Sequence, residues 1–379
     1  MTGVQTCALP ICIALSLRNH PNIQSANYGV QQQVELKRTS FTLDPLNLNY
    51  QGGQINSHVN DYNFSVTTGI PFPTTTIAQS KFQNQKVLLA EQQANITKAE
   101  LIKNVSISYY QLLYAQQKLK LFLKLDSVYS NFARYAETKY RVGETNQLEK
   151  LSAQAKLKEI ELQQHQAESD LKVSQFNLQQ WTGSAVFFIL DENDIKARPP
   201  LLSDTSQLTS NPYLQFQKQQ VFTSLAGWKL EKNKYAPSFQ FGYFMQSLDK
   251  ISPFYGYNIG LNIPIFKTGQ QGRINAASLQ AKIEEKNLDA LKLKLQTDYT
   301  AALEEYKKQI TSLNYYNLEG LPLAESLFSV ASKSYSAGDI SYVEYIQTIS
   351  QAYAIKAGYL QTLLNLNQSV ININYLINK

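Results

Sequence analysis

Residues 255–263, which read YGYNIGLNI, decide the fold. Large apolar side chains alternate there with glycine or asparagine, a period of two that is typical of a β-strand with one apolar and one polar face. The same alternation occurs at 46–51, at 62–70 and, interrupted once by Phe244, at 239–245. The polar positions carry no charge. This favours a barrel wall with lipid outside and water inside, and a soluble sandwich with one wet face stays the alternative.

The alternation predicts strands at about 46–52, 62–70, 238–247 and 254–265. If these strands cross a membrane, their large apolar side chains face lipid. The candidate wall residues are Phe64, Val66, Tyr243, Ile259 and Leu261.

Long helices are the second signal. No proline or glycine occurs between Pro73 and Gly143, and residues 145–182 are again free of both. A helix over most of the first span would be roughly 100 Å long at about 1.5 Å per residue. Apolar residues between Leu112 and Ala136 keep heptad-like spacing, which predicts lateral packing with one wet face left over. We expect Gly320-Leu321-Pro322 to break the long helix of the second half.

The chain is an internal duplication. Four landmarks recur in the same order: the Asn-Pro openings at Pro21 and Pro212, the prolines at 45 and 237, the Ile-Pro pairs ending at 71 and 264, and the glycine turns at 143 and 338. This predicts a first repeat at 13–183, a linker or equatorial segment at 184–210, and a second repeat at 211–379. Each repeat would hold a helix, two strands and a long helical hairpin.

Composition excludes several classes. Net charge is +6, but the lysines and arginines are interleaved with carboxylates and glutamines without a basic stripe, so we expect solvated helix faces and no nucleic-acid partner. The longest apolar runs, such as 185–190, are far below the roughly 20 residues of a membrane-spanning helix. The three histidines are isolated, and no catalytic, metal-binding or phosphate-binding motif occurs. We therefore expect no enzyme activity, no cofactor and no metal site.

The first residues need separate treatment. Residues 1–12 read as an in-frame translation of a sequencing-library adapter, so we treat them as an artefact and exclude them from fold reasoning. We expect neither Cys7 nor Cys12 to support lipidation, a disulfide or catalysis.

The duplicated layout resembles TolC-type outer membrane efflux proteins from Ile13 onward. The resemblance rests on the Asn-Pro openings, the proline before each strand pair, the Ile-Pro exits, and the Tyr-x-x-Gly turns followed by Leu148-Glu149 or Val343-Glu344. The first half is similar in particular to the TolC-like modules of heavy-metal efflux systems of the resistance-nodulation-division (RND) class.

The resemblance implies a mainly α fold with membrane β: a long-helix α-barrel, plus four strands per protomer of a trimeric twelve-stranded β-barrel. It implies a homotrimer in the outer membrane of a Gram-negative bacterium, contacting outer membrane lipid and extending into the periplasm. The function implied is a passive exit duct, driven by an inner-membrane RND-type pump through a periplasmic adaptor, with heavy-metal cations as cargo. A periplasmic coiled-coil adaptor or scaffold, and the C-terminal TolC-like domain of a fused RND pump, stay as alternatives.

The two turns at 141–146 and 337–342 would lie at the periplasmic tip. Gly143 and Gly338 are suited to positive φ, and Glu144 and Asp339 are expected to cap the helices that follow. An adaptor contact and a gate are expected here, and plain helix-ending turns are the alternative. The predicted tip residues are Arg141, Gly143, Glu144, Thr145, Gly338 and Asp339.

Overall fold

The computed structural model describes residues 5–6, 8–55, 57–191, 197, 205–249, 251–265 and 268–378. The chain divides into two compact units. Unit 1 comprises Met1–Gln24, Thr97–Asn211 and Lys294–Lys379, and unit 2 comprises Ser25–Ile96 and Pro212–Leu293. Each unit contains parts of both sequence repeats.

Long helices make up most of the described chain, as the sequence predicted. The order of one helix, two strands and a long helical hairpin occurs twice. The helices are α1 (Leu9–Asn19), α2 (Pro21–Lys37), α3 (Pro73–Arg141), α4 (Gln147–Thr182), α5 (Pro212–Asn233), α6 (Thr268–Tyr315), α7 (Leu321–Ala337) and α8 (Tyr342–Leu376). The strands of the main sheet are β1 (Asn47–Gly53), β2 (Asp61–Ile70), β3 (Ser238–Leu248) and β4 (Ile251–Asn262).

The sheet of unit 2 joins the strand pairs of both repeats. Its order is β1-β2-β3-β4, and every neighbouring pair is antiparallel. Strand β4 begins at Ile251 and ends at Asn262, so the predicted bounds 254–265 were wrong by three residues at each end. Pro253 lies inside β4, where an edge strand tolerates proline because the missing N–H can face away from the paired strand.

The two largest of the apolar clusters in unit 1 lie along α3. The first is centred on Val105, Tyr109 and Leu112 of α3, and the second on Phe122, Tyr129 and Phe132 of the same helix. The predicted linker begins with an apolar stretch at 184–190. Residues 188–189 form a two-residue parallel bridge with residues 5–6, and the side chains of Phe188 and Leu190 are buried in the first cluster.

The expected helix break at Gly320-Leu321-Pro322 does not occur. Tyr316–Gly320 forms a π-helical turn between α6 and α7, and Gly320 keeps right-handed helical dihedrals. Pro322 sits in the first turn of α7, where its missing N–H leaves no intrahelical bond unmade. The widened turn accommodates the proline, so the helical backbone continues.

The start of each repeat is hydrogen-bonded to the end of the last helix of the same repeat. The Ser16 hydroxyl donates to the Trp181 carbonyl at 2.7 Å, and the Asn211 amide donates to the Leu376 carbonyl at 3.0 Å. Both bonds satisfy a carbonyl in a last helical turn, where no intrahelical donor remains. His20 stacks on Trp181 with ring centroids 6.0 Å apart. The Asn-Pro opening of the second repeat therefore has a structural role.

The N-terminal helix α1 packs into the first cluster of unit 1 through Leu9 and Cys12. Cys12 is disulfide-bonded, so the expectation of no disulfide was wrong; Cys7 lies outside the described residues. None of the described helices contains an apolar stretch long enough to cross a lipid bilayer.

Candidate functional sites: the two-faced sheet and the hairpin turns

The strand register of unit 2 gathers the predicted apolar residues on one face of the sheet. Val66 pairs with Leu48 on one side and Tyr243 on the other, and Tyr243 pairs with Tyr257. Parallel rows lie above and below this one, because residues at intervals of two share a face. All five predicted wall residues lie on it, namely Phe64, Val66, Tyr243, Ile259 and Leu261.

Much of this apolar face is accessible. Tyr243 is 52% exposed, Tyr257 80%, Ile259 67% and Leu261 55%. A contiguous apolar surface of this kind marks a site of contact with lipid or with another protein.

The opposite face of the sheet is polar and carries a single charged residue, Asp61, at its end. Most of its other positions are asparagine, glutamine, serine, threonine or glycine, and Phe244 and Phe254 are apolar exceptions. The Phe244 ring lies over Gly256, where a Cβ would come within 2.6 Å of it. The one charged residue in the four strands is Asp61, which is 4% exposed and accepts hydrogen bonds from the hydroxyls of Ser57 at 2.6 Å and Ser247 at 3.1 Å.

In unit 1, helices α3 and α7 end in the same backbone motif. Gly143 has φ 82° and Gly338 has φ 84°. The Gly143 N–H donates to the Tyr140 carbonyl, and the next N–H, of Glu144, reaches back to Lys139 at 2.9 Å. The Gly338 turn repeats this pattern. Both turns are Schellman motifs, which require a left-handed residue and so favour glycine.

The predicted helix caps were wrong. Asn146, not Glu144, caps α4, because its side chain accepts a hydrogen bond from the Glu149 N–H at 2.9 Å. Ser341, not Asp339, caps α8 in a reciprocal capping box with Glu344. The backbone N–H groups of Glu144 and Asp339 close the preceding Schellman motifs instead. The spacing Asn-x-x-Glu and Ser-x-x-Glu was the sequence signal for the actual caps.

The two turn regions meet inside unit 1 through an aromatic cluster that the sequence did not predict. Phe132 of α3 stacks on Tyr342 with centroids 4.9 Å apart, and Tyr335 stacks on Tyr345 at 4.7 Å. The Tyr335 hydroxyl donates to Glu149 Oε1 at 3.2 Å. Burial and the neighbouring Glu149 charge raise the pKa of Tyr335 well above its usual range, so its hydroxyl is a donor at neutral pH.

The predicted tip residues border this cluster. Arg141, Gly143, Glu144, Gly338 and Asp339 are exposed, and Thr145 is half-buried. The Thr145 hydroxyl donates to Glu149. The turns therefore place exposed residues directly beside the aromatic cluster.

No candidate metal site appears among the described residues. They contain no group of three or more histidine, cysteine or carboxylate side chains that could hold a metal ion. His20 is buried against Trp181. His165 is largely exposed and lies 3.4 Å from Glu168.

The first repeat of the chain matches a known protein family. Residues 12–184 match the outer membrane efflux protein family. The matched segment includes β1, β2 and the turn at Gly143, whereas β3, β4 and the turn at Gly338 lie beyond it. No curated protein sequence shows significant similarity to the chain.

Solved structures extend the likeness to almost the whole chain. CusC, which forms a transmembrane channel, matches with a TM-score of 0.83 at 16% identity, over 97% of this chain and 91% of its own. The CmeC outer membrane channel of Campylobacter jejuni gives 0.80 at 14% identity, over 97% and 85%. The open state of the MtrE outer membrane channel of Neisseria gonorrhoeae gives 0.80 at 12% identity, over 97% and 88%. The chain therefore has the fold of these outer membrane efflux channels.

Proposed function

We propose that this chain is one protomer of a homotrimeric outer membrane efflux channel, a passive duct without catalytic activity. The observation that carries the proposal is the two-faced sheet: an exposed apolar face lies opposite a polar face whose one charged residue, Asp61, is buried. A wall between lipid and a water-filled lumen needs that division, because a charged side chain on the lipid face costs about 2–4 kcal/mol at the bilayer midplane. Phe64, Val66, Tyr243, Ile259 and Leu261 would contact lipid.

The open edges of the sheet explain why copies must associate. Strands β1 and β4 each have one edge without a partner among the described strands. An unpaired backbone group in hydrocarbon costs several kcal/mol, and four strands cannot close a pore. Pairing β4 of one copy with β1 of the next removes every edge, and the resemblance to TolC-type proteins supports three copies.

The turn residues are the proposed contact with the rest of the efflux system. Arg141, Gly143, Glu144, Thr145, Gly338 and Asp339 would form the periplasmic tip, where they bind a periplasmic adaptor and gate the lumen. An inner-membrane RND-type pump would supply the energy. The TolC-like resemblance of the first half favours heavy-metal cations as cargo. A passive duct needs no metal ligands, so the composition of the described residues is compatible with this cargo.

An adaptor or soluble scaffold is not favoured. Such a protein would keep the apolar face of its sheet covered, whereas Tyr257 and Ile259 are 80% and 67% exposed here. The similar solved structures are channels, and each of the three spans 97% of this chain.

Membrane fractionation tests the duct. The expressed protein should separate with the outer membrane and migrate as a trimer under mild detergent, and a deletion strain should regain metal tolerance when the gene is restored. A soluble monomer would contradict the channel. A trimer that restores tolerance to organic compounds but not to metal ions would contradict the cargo alone.

Valine at the turn glycines tests the tip. Gly143→Val and Gly338→Val force a β-branched residue into positive φ, and a Cβ at either position meets no atom within 4 Å. The damage should therefore stay in the turn backbone. We expect trimers in the outer membrane with reduced efflux and reduced cross-linking to the adaptor. Gly29→Val on exposed α2, where φ is not positive, is the control. Full efflux and unchanged cross-linking would show that the turns only reverse the chain.

A further inference from the structure

Unit 2 carries a basic surface beside the end of its sheet, which the sequence analysis did not anticipate. Two residues separate the last sheet pairing of β2 from the start of α3, and four residues separate the end of α5 from the start of β3. Lys81 lies in the third turn of α3, and Lys229 and Lys232 lie in the last two turns of α5. No carboxylate occurs at 73–90, and Glu231 is the only one at 212–237.

The positive charge of this surface is not compensated within the chain. Glu231 is occupied: Oε1 pairs with Lys234, and Oε2 accepts from the Gln270 amide at 3.0 Å. Burial works against ionisation of this carboxyl, but its hydrogen bonds and the Lys234 charge hold its pKa below the usual value, so it is charged at neutral pH. Within the described part of the chain, Lys81, Lys229 and Lys232 have no carboxylate partner.

The contacts of α5 leave one of its faces open. Gln219 hydrogen-bonds Gln85 of α3 at 2.6 Å, and Gln217 hydrogen-bonds Glu284 of α6 at 2.9 Å. The open face presents Phe222, Leu225 and Lys229 to a groove beside α3 of about 880 Å³, which is also lined by Ile77, Lys81 and Leu88. Phe222 is 57% exposed and Ile77 55%.

One polar group on α5 lacks an acceptor. The Trp228 indole Nε1 is buried and has no hydrogen-bond partner in the described chain. The Lys232 ammonium lies 3.6 Å from the Trp228 ring centroid, but an ammonium group has only donors. The contact with the ring holds the Lys232 ammonium in place, and its N–H donors are suited to an anionic oxygen.

We propose that this basic surface, made of Lys81, Phe222, Trp228, Lys229 and Lys232, binds anionic phospholipid of the inner leaflet of the outer membrane. The proposal rests on the proposed function, which places the sheet in that membrane. Phosphate oxygens would accept from the lysines, with the Trp228 ring beneath the Lys232 ammonium, while the apolar residues of the groove lie along the lipid. Lysine stems reach toward headgroups, and tryptophan concentrates at the interface. A second copy or a protein partner gives no comparable reason for three uncompensated cations.

The chain provides its own reporter. It contains two tryptophans, so Trp181→Phe leaves Trp228 as the only one. This variant would be folded into vesicles that contain phosphatidylglycerol or phosphatidylcholine, brominated near the headgroup end of the acyl chains. Because basic side chains attract anionic lipid, we expect at least about twofold stronger quenching of Trp228 by brominated phosphatidylglycerol.

Removing the three lysine charges distinguishes binding of the lipid headgroup from mere proximity of Trp228 to lipid. In the same background, Lys81→Gln/Lys229→Gln/Lys232→Gln should bring the quenching ratio close to that of the neutral lipid. The matched control, Lys286→Gln/Lys292→Gln/Lys307→Gln, removes three exposed α6 charges and should keep the preference. Equal quenching by both lipids would overturn the inference, and so would absence of quenching in protein that floats with the vesicles as a trimer. Failure to insert into either vesicle would instead contradict the proposed channel, and the inference with it.

Discussion

Three consecutive residues of β4 point to alternate sides of the sheet, and arginine at each should give an alternating result. Tyr257 and Ile259 lie on the apolar face, and Asn258 lies on the polar face. If the apolar face meets lipid, Tyr257→Arg and Ile259→Arg should impair assembly and Asn258→Arg should not. All three sites are on the same exposed edge strand, so local burial within the protomer does not explain a difference.

The free-energy cost expected for each arginine depends on the depth of the residue in the bilayer. Tyr257 is five residues from the end of β4 at Asn262, which is about 17 Å along the strand at about 3.4 Å per residue. A strand tilt of about 40° reduces this to about 13 Å, close to half of the apolar band of about 25 Å. Tyr257→Arg should therefore cost about 2–4 kcal/mol, the midplane value. Ile259 lies about 8 Å from the same end, so its cost should be smaller, about 1–2 kcal/mol.

The assay is refolding into vesicles at one fixed protein concentration, with denaturant titration and trimer yield as readouts. A loss of about 3 kcal/mol corresponds to more than a hundredfold change in the folding equilibrium. Tyr257→Phe controls for loss of the hydroxyl and should be close to neutral. If Asn258→Arg proved as harmful as Tyr257→Arg, or if all three arginines were tolerated in membrane-inserted trimers, the assignment of the faces would be refuted.

Three further predictions concern unit 1. Asn146→Ala and Ser341→Ala should each lower stability by about 1 kcal/mol through loss of a helix cap, seen as a lower melting temperature; no shift in either would contradict the cap assignment. Because the Tyr335 pKa is raised above the ordinary value of a tyrosine, about 10, the neutral phenol stabilises the fold below about pH 10, and that contribution is lost as pH rises through the raised pKa. Tyr335→Phe should therefore reduce alkaline destabilisation, and an unchanged alkaline melting profile would argue against it. Gly358→Ala should destabilise by about 1–3 kcal/mol through overpacking, because its Cβ would overlap the Tyr316 hydroxyl; a double variant with Tyr316→Leu should recover part of the loss, and no recovery would locate the strain elsewhere.

The sheet was predictable because period two is a local property. Residues 255–263 show the alternation without any knowledge of a partner strand. The pairing was not predictable: β2 meets β3 through Asn63 and Gln246, which are 183 residues apart in the sequence. The start of β4 was misplaced by three residues, because the alternation of large with small or polar side chains is clear only from Tyr255 onward.

The helix turns were also predictable from sequence only in part. The glycines at 143 and 338 were predicted because a chain reversal after a long helix needs a left-handed residue. The caps were misassigned because the Schellman motif uses the N–H of the residue after glycine, which moves the start of the next helix two or three residues further on. The bond between Tyr335 and Glu149 joins residues 186 apart, and no local pattern signals it.

The duplicated turns share one backbone but differ in what their carboxylates do. Glu149 and Glu344 occupy the same position, the third residue of α4 and of α8. Glu344 turns back to the N–H of its own cap, Ser341, at 2.7 Å, so its effect is confined to one helix start. Glu149 instead accepts from Tyr335, which belongs to the other repeat. A duplication supplies two similar turns, and this change of partner joins the first hairpin to the second, beside the aromatic contact between Phe132 and Tyr342.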